Sequence, residues 1–187
     1  MLLAHRLQLI EDDAYGFIPP QPPAPLASFA PDLVWHIGGL AKCIGAGLRL
    51  AYTVAPSSHA ARELAHQIKI ISVMPSPLMM ALVTRWILDG TADGIRRFIR
   101  DESQKRQAIA AEVLAGYQFE AAPNAFNVWL HLPQGVTRAD IIGRMAGTGV
   151  GLMPSDAFTV SGVPSEAIRV CLGGQIKQSQ LRDAMGL

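Results

Sequence analysis

Charged residues are scarce in this 187-residue chain: Asp, Glu, Lys and Arg make up 17% of it, and the formal net charge is +1. No run of basic side chains gathers anywhere along the sequence. We therefore expect no nucleic-acid contact within this segment. Half of the residues are hydrophobic. That proportion excludes a disordered chain and favours an α/β interior.

Cysteine is equally scarce, and its placement excludes two kinds of site. Cys43 and Cys171 are far apart, form no CxxC motif, and have no histidine at metal-ligand spacing. The five histidines show no HxxxH or HExxH pattern, so we predict no metal site. Two free thiols are typical of a reducing compartment, and we expect a cytoplasmic protein.

Long hydrophobic runs are absent too, which argues against a membrane protein. The longest apolar stretch, 73–88, is interrupted by two prolines and an arginine. The first residues reach charged side chains quickly and lack a small-residue cleavage site, so they do not resemble a secretory signal.

Apolar patterning predicts an α/β fold. Apolar runs predict three strands, at 7–10, 33–40 and 48–54. The second and third runs are continuous, as expected for strands covered on both faces. Spacings of three and four residues predict helices from Ser57, from Ser76-Pro77, and over 92–115. After Gly116 the sequence predicts four short strands, at 117–121, 126–132, 149–153 and 167–172. It also predicts two helices, at 137–146 and 177–185.

This change of pattern predicts two domains. Residues 1–105 resemble the C-terminal part of a large domain with a mostly parallel sheet, and 106–187 a small α+β domain. The long helix would connect them. Its many charged side chains, Arg106 among them, are expected to be solvated.

The most informative stretch surrounds Lys42. This lysine follows the second predicted strand and precedes a glycine-rich turn, and Arg49 lies seven residues further on. A lysine can be a solvated charge or form a Schiff base with a carbonyl cofactor. The planar fork of an arginine suits a phosphate. Asp12 and Tyr15 follow the first strand, and Arg169 lies within a later apolar strand.

In order and spacing, these residues resemble the fold-type-I pyridoxal-phosphate aminotransferases. The likeness is strongest to the aminotransferase-like domain of the MocR branch of GntR-type transcriptional regulators. It runs from near residue 7 to the C-terminus. Four groups of motifs carry it: IEDDAYGF at 10–17, LAK at 40–42 with GLRLAY at 47–52, SPL at 76–78 with WILDG at 86–90, and AIRV at 167–170.

The resemblance implies a role for each candidate residue. Lys42 would be the catalytic lysine that holds pyridoxal 5'-phosphate and moves a proton at the substrate α-carbon. Asp12 would pair with the pyridine nitrogen, Tyr15 would hydrogen-bond the phenolic oxygen, and Arg49 would bind the phosphate. Arg169 would bind the α-carboxylate of an amino acid or 2-oxo acid.

Each assignment has a plainer alternative. Lys42 and Arg49 can be solvated charges, and Tyr15 can be a core tyrosine. The neighbouring Asp13 competes with Asp12 for the cofactor, and we choose Asp12 because in the family the tyrosine follows three residues later. Arg169 can belong to a structural ion pair, since a charge within an apolar strand needs a partner.

The sequence departs from the family in two respects. Gly39 and Ala41 stand where the family usually carries hydroxyl residues, so a phosphate contact is lost. The N-terminal half of a complete member is also missing, and with it the phosphate loop and the aromatic residue stacked on the ring.

We therefore expect an incomplete, aminotransferase-like segment that transfers amino groups only when completed. The alternatives are the sensing domain of a MocR-type regulator or an inactive truncated remnant. The resemblance also implies a homodimer, because the family's sites form between subunits.

Overall fold

The computed structural model describes residues 2–186 and divides the chain into two compact units, Met1–Ile99 and Arg100–Leu187. Both units contain helices and a β-sheet. No helix within the described range is long and apolar enough to cross a membrane.

The first unit is built on a three-stranded sheet. Its elements are α1 (Leu2–His5), β1 (Leu9–Asp13), β2 (Val34–Gly39), β3 (Ala51–Val54), α2 (Ser58–Ser72), α3 (Pro77–Leu88) and the start of α4 (Thr91–Val113). The strand order is β1-β2-β3, with β1 parallel and β3 antiparallel to β2. Two short 3-10 helices, Leu26–Ser28 and Ala46–Leu48, lie in the loops before β2 and β3.

Local signals define the helices of this unit. The Ser57 side chain accepts a hydrogen bond from the Ala60 N–H at the start of α2, and Ser76 accepts one from Met79 at the start of α3. Pro77 occupies the first turn of α3, where its missing N–H costs nothing. The predicted helix starts are confirmed.

The prediction that the second and third strands are covered on both faces is wrong. Along β2, Val34, His36 and Gly38 are buried and alternate with half-buried residues, while all four residues of β3 are exposed. The third strand also begins three residues later than predicted, because residues 46–48 form a 3-10 helix. Arg49 then takes a left-handed backbone conformation, with φ of 52°. In this unit β3 is therefore an uncovered edge strand.

The second unit packs helices on an antiparallel sheet. It contains the end of α4, then β4 (Phe119–Glu120), β5 (Asn127–His131), α5 (Arg138–Arg144), β6 (Gly151–Pro154), β7 (Ala167–Cys171) and α6 (Gln178–Met185). A 3-10 helix, Ser155–Phe158, follows β6. The strand order is β4-β5-β7-β6, and every pairing is antiparallel. The core consists of ten residues: Ala110, Leu114, Val128, Leu130, Val150, Ile168, Val170, Leu172, Leu181 and Ala184.

One predicted solvated charge is buried instead. Arg106 of α4 is only 9% exposed. It donates hydrogen bonds of 2.7 Å to the carbonyls of Leu172 and Ile176 and pairs with Glu102 at 2.7 Å. Its guanidinium therefore links α4 to the segment after β7 within the second unit. The sequence gives no sign of this, because the carbonyls that it meets lie 66 and 70 residues away.

Candidate functional site

The candidate site of the first unit lies where β1 and β2 end. Parallel strands bring their carboxyl ends to one edge of a sheet, and ligands of open α/β sheets bind at that edge. β3 runs antiparallel to β2 and begins at Ala51, opposite Gly39. The chain before β3 therefore returns to this same edge. Asp12, Lys42 and Arg49 all belong to this edge, which is formed by the ends of β1 and β2 and the start of β3.

Lys42 is exposed, three residues beyond the end of β2. Its Nζ lies 5.7 Å from the centre of the Tyr15 ring, a cation–π distance. No carboxylate of the described residues forms an ion pair with it. The amine is therefore held beside a phenol without being neutralised by a neighbouring acid. The structure places two of the predicted site residues, Lys42 and Tyr15, beside each other.

Cys43, next to Lys42, is 3% exposed, and its thiol points to the carbonyls of Gly39 and Leu40. Burial raises the pKa of this thiol. Both observations indicate that Cys43 is a packing residue rather than a nucleophile.

The two adjacent aspartates differ in their surroundings. Side chains alternate along a strand, so Asp13 shares a face with Glu11 and lies 3.9 Å from His36 Nε2. Asp12 points to the other face, is exposed, and forms no ion pair with any described residue. This geometry favours Asp12 over Asp13 as the carboxylate available to a ligand.

A buried histidine fixes the strand that carries Asp12. His36 is 6% exposed, and its Nδ1 lies 3.0 Å from Glu11 Oε2. Glu11 also accepts hydrogen bonds from the Leu26 N–H at 2.7 Å and the Ala27 N–H at 3.3 Å. Burial raises the pKa of Glu11, but these hydrogen bonds outweigh it, and the net pKa lies below the ordinary value. His36 is thus a satisfied core residue, and its partner Glu11 was not predicted from the sequence.

Arg49 ends the 3-10 helix that precedes β3. Its side chain is exposed and has no ion-pair partner within residues 2–186. Upstream, a Cβ added to Gly39 would lie 3.2 Å from the Ala14 Cα, so the backbone there is too close for a side chain to fit easily.

Arg169 belongs to the second unit, at the centre of β7. It pairs in register with Trp129 of β5 on one side and Met153 of β6 on the other. Its Cζ lies 5.1 Å from the centre of the Phe158 ring. Its Nε is buried and has no hydrogen-bond partner among the described residues, and no described acid forms an ion pair with it. The alternative of a structural ion pair thus has no support in this part of the chain.

Comparisons of the sequence with known proteins find relatives of two kinds. The helix-turn-helix-type transcriptional regulator YdeF of Bacillus subtilis, itself uncharacterized, is 29% identical over 167 residues, which cover 89% of this chain and 36% of the relative. The 2-aminoadipate transaminase of Thermus thermophilus is 25% identical over 181 residues, which cover 91% of this chain and 45% of the relative. No family model matches.

Solved structures define the class of fold. The α-aminoadipate aminotransferase LysN of Thermus thermophilus, complexed with N-(5'-phosphopyridoxyl)-L-leucine, superposes with a TM-score of 0.82 at 20% identity, over 100% of this chain and 50% of that protein. The kynurenine aminotransferase of Pyrococcus horikoshii gives 0.83 at 16% identity, over 99% of this chain and 47% of that protein. The chain therefore has the mixed α/β fold of the C-terminal half of aminotransferases.

The predicted fold class and the resemblance stated from the motifs are confirmed. The chain spans 36% and 45% of the two sequence relatives and about half of each solved structure. One relative is a regulator and the other a transaminase, so both functional interpretations remain consistent with the comparisons.

Proposed function

We propose that this chain is a pyridoxal-phosphate-binding, aminotransferase-like segment, serving amino-group transfer between an amino acid and a 2-oxo acid. The observation that carries the proposal is the edge formed by the ends of β1 and β2 and the start of β3. Three charged side chains there, Asp12, Lys42 and Arg49, have no ion-pair partner within the described residues.

These side chains fit the chemistry of the cofactor. Arg49 offers a fork of N–H donors to a phosphate, and Asp12 offers a carboxylate to a protonated ring nitrogen. Lys42 supplies an exposed amine that pairs with no acid in the described part of the chain, and Tyr15 beside it supplies a phenol. Pyridoxal phosphate, when bound, supplies an aldehyde that combines with amines and a ring that accepts electrons from the α-carbon.

The residues of the chain would then have separate roles in the reaction. Lys42 Nζ would hold the cofactor and, once a substrate amine replaces it, accept and return the proton of the α-carbon. Tyr15 would donate a hydrogen bond to the phenolic oxygen of the cofactor. Arg169, in the second unit, would bind the substrate α-carboxylate. The division into a cofactor-binding domain at 1–105 and a small domain at 106–187 is part of the same proposal, as is a homodimer.

A second candidate function is favoured by the likeness to YdeF. In it the same residues would sense a cofactor or an amino acid for a MocR-type regulator. Steady turnover of amino donors with 2-oxo acids by the complete gene product would select the transaminase. Ligand-dependent DNA binding without steady turnover would select the regulator.

The first test is an absorption titration of the chain with pyridoxal phosphate. We expect a yellow band that disappears in Lys42→Ala and persists in Lys69→Ala, a matched exposed lysine on α2. A band that survives Lys42→Ala would contradict the role of this lysine. The absence of a band in the unchanged chain would contradict cofactor binding by this segment alone.

A further inference from the structure

The turn that carries Tyr15, at residues 13–16, packs closely against two glycines. It closes with a hydrogen bond of 3.3 Å from the Gly16 N–H to the Asp13 carbonyl. A Cβ added to Gly16 would overlap the Asp13 carboxylate, so this carboxylate occupies the space where a side chain at residue 16 would lie. At the end of β2, a Cβ added to Gly39 would lie 3.2 Å from the Ala14 Cα. The 13–16 turn is therefore held on one side by the Asp13 carboxylate and on the other by the end of β2.

Neighbouring side chains hold the Asp13 carboxylate in turn. Asp13, Gly38 and Tyr52 pair in register across the three strands, and a Cβ added to Gly38 would overlap the Tyr52 ring. Burial and the nearby charge of Asp13 raise the pKa of Tyr52. His36 Nε2 lies 3.9 Å from Asp13 Oδ2, and the other ring nitrogen lies 3.0 Å from Glu11. The carboxylate thus belongs to a row of polar groups that crosses the sheet from β1 to β3.

This row lies on the face of the sheet opposite to Asp12, because side chains alternate along β1. On the other side of the 13–16 turn, the Tyr15 ring lies 5.7 Å from Lys42 Nζ. Neither Tyr15 nor Lys42 is buried, so the distance between them depends on where the turn holds the Tyr15 backbone.

We propose that Asp13 is a positioning residue: its carboxylate, packed over Gly16, fixes the turn that places the Tyr15 phenol beside the Lys42 amine. The inference rests on the proposed function, because only there do the phenol and the amine act on one cofactor. It gives the two adjacent aspartates separate roles, with Asp12 on the ligand side of β1 and Asp13 behind it.

Two substitutions test the same contact from opposite sides. Asp13→Ala removes the carboxylate and leaves the 13–16 turn free to move. Gly16→Ala adds a Cβ that must displace the carboxylate, and Gly16 has no left-handed backbone conformation that alanine would strain. In the double variant the added Cβ enters space that Asp13→Ala has vacated. The two effects should therefore not be additive, as expected for residues in contact.

The experiment observes the Lys42 side chain by proton–carbon magnetic resonance of the complete 187-residue chain, without cofactor and with labelled lysine ε-carbons. The chain has four lysines, so the spectrum is simple. The ring current of Tyr15 shifts the ε-methylene protons of a lysine above it upfield. Lys42→Arg identifies the signal, and Tyr15→Leu gives its position without the ring.

We expect the Lys42 signal of the unchanged chain to lie upfield of its position in Tyr15→Leu. Asp13→Ala should remove most of this upfield shift, and Gly16→Ala should reduce it as well. Adding Gly16→Ala to Asp13→Ala should change nothing further. The amide signals of β2 report whether each variant is folded. If Asp13→Ala does not fold, Gly16→Ala decides the test.

Two matched controls should leave the Lys42 signal in place. Asp32→Ala removes an exposed aspartate from the loop before β2. Gly94→Ala adds a Cβ in α4 that would enter open space.

A second measurement, with pyridoxal phosphate, separates the inference from the proposed function. Tyr15→Phe keeps the ring but removes the hydroxyl, so the pH at which the yellow band changes should shift. Asp13→Ala should shift that pH in the same direction, whereas Asp32→Ala should not.

Three results would overturn the inference while leaving cofactor binding by Lys42 intact. The first is a Lys42 signal that Tyr15→Leu does not move, or that folded Asp13→Ala leaves unchanged. The second is an effect of Gly16→Ala that is equally large with and without the Asp13 carboxylate. The third is a pH that shifts in Tyr15→Phe but not in Asp13→Ala. If the Lys42 signal behaves as expected but the unchanged chain gives no yellow band, the proposed function fails and the placement of Tyr15 by Asp13 stands.

Discussion

Replacing Arg106 with alanine is the sharpest test of how the second unit is held together. The guanidinium is buried and donates to two backbone carbonyls, those of Leu172 and Ile176, each at 2.7 Å. It also pairs with Glu102, which receives a second hydrogen bond of 2.8 Å from Gln178. Arg106 thus links α4 to the segment that follows β7, at Leu172 and Ile176, and its partner Glu102 links α4 to Gln178 at the start of α6.

The expected cost follows from these contacts. Hydrogen bonds to charged groups contribute about 1.5–3 kcal/mol each, so the two carbonyl contacts together contribute roughly 3–6 kcal/mol. Glu102 keeps Gln178 as a partner and stays partly exposed, so its loss of Arg106 adds little. We expect Arg106→Ala to lower the free energy of unfolding of this unit by about 3–5 kcal/mol.

Amide hydrogen exchange measures the free energy of unfolding of this unit separately from that of the first unit. The slowest amides of β5 and β7 should exchange about two to four orders of magnitude faster in Arg106→Ala, since each 1.4 kcal/mol is tenfold. Those of β1 and β2 serve as an internal reference. Arg97→Ala, an exposed arginine of the same helix, is the matched control. Equal acceleration in both variants would refute the reasoning.

Two more predictions concern the same unit. The hydrogen bond from Arg106 holds the pKa of Glu102 below its ordinary value, so the unfolded chain takes up this proton first as the pH falls. The stability that this ion pair contributes should be intact at neutral pH and decline below about pH 4.3. In acid unfolding curves, Glu102→Gln should make that decline less steep. A curve that is the same in Glu102→Gln would contradict this role of Glu102. Leu181 is fully buried, and Leu181→Ala should lower the free energy of unfolding measured in urea by about 2–5 kcal/mol. Leu88 is 82% exposed, and Leu88→Ala should lower that free energy far less.

Much of the secondary structure could be predicted because its signals are local. Ser57 and Ser76-Pro77 mark helix starts through hydrogen bonds that span only three residues. The alternation of buried and half-buried residues along β5, and over the last four residues of β7, likewise follows the two-residue repeat of a strand. Strand ends were less accurate, as at β3, because they depend on which neighbour a strand pairs with.

Contacts across long sequence distances could not be predicted. Glu11 meets His36 across 25 residues, and Arg106 meets the carbonyl of Ile176 across 70. A charged residue has the same local pattern whether water or a buried carbonyl solvates it. The expectation of a solvated Arg106 failed for this reason, and the role of Glu11 remained invisible.

The sequence by itself determined the helices and strands, their order, and the spacing of Asp12, Lys42, Arg49 and Arg169, because motifs and periodicity are properties of neighbouring residues. Only the tertiary structure decided which groups share an edge or a face. Strand pairing brings the ends of β1 and β2 to the start of β3, and it sets Arg169 beside Trp129. It also left the Arg169 Nε buried without an acceptor among residues 2–186, since burial and hydrogen bonding depend on atoms that meet only when the chain folds.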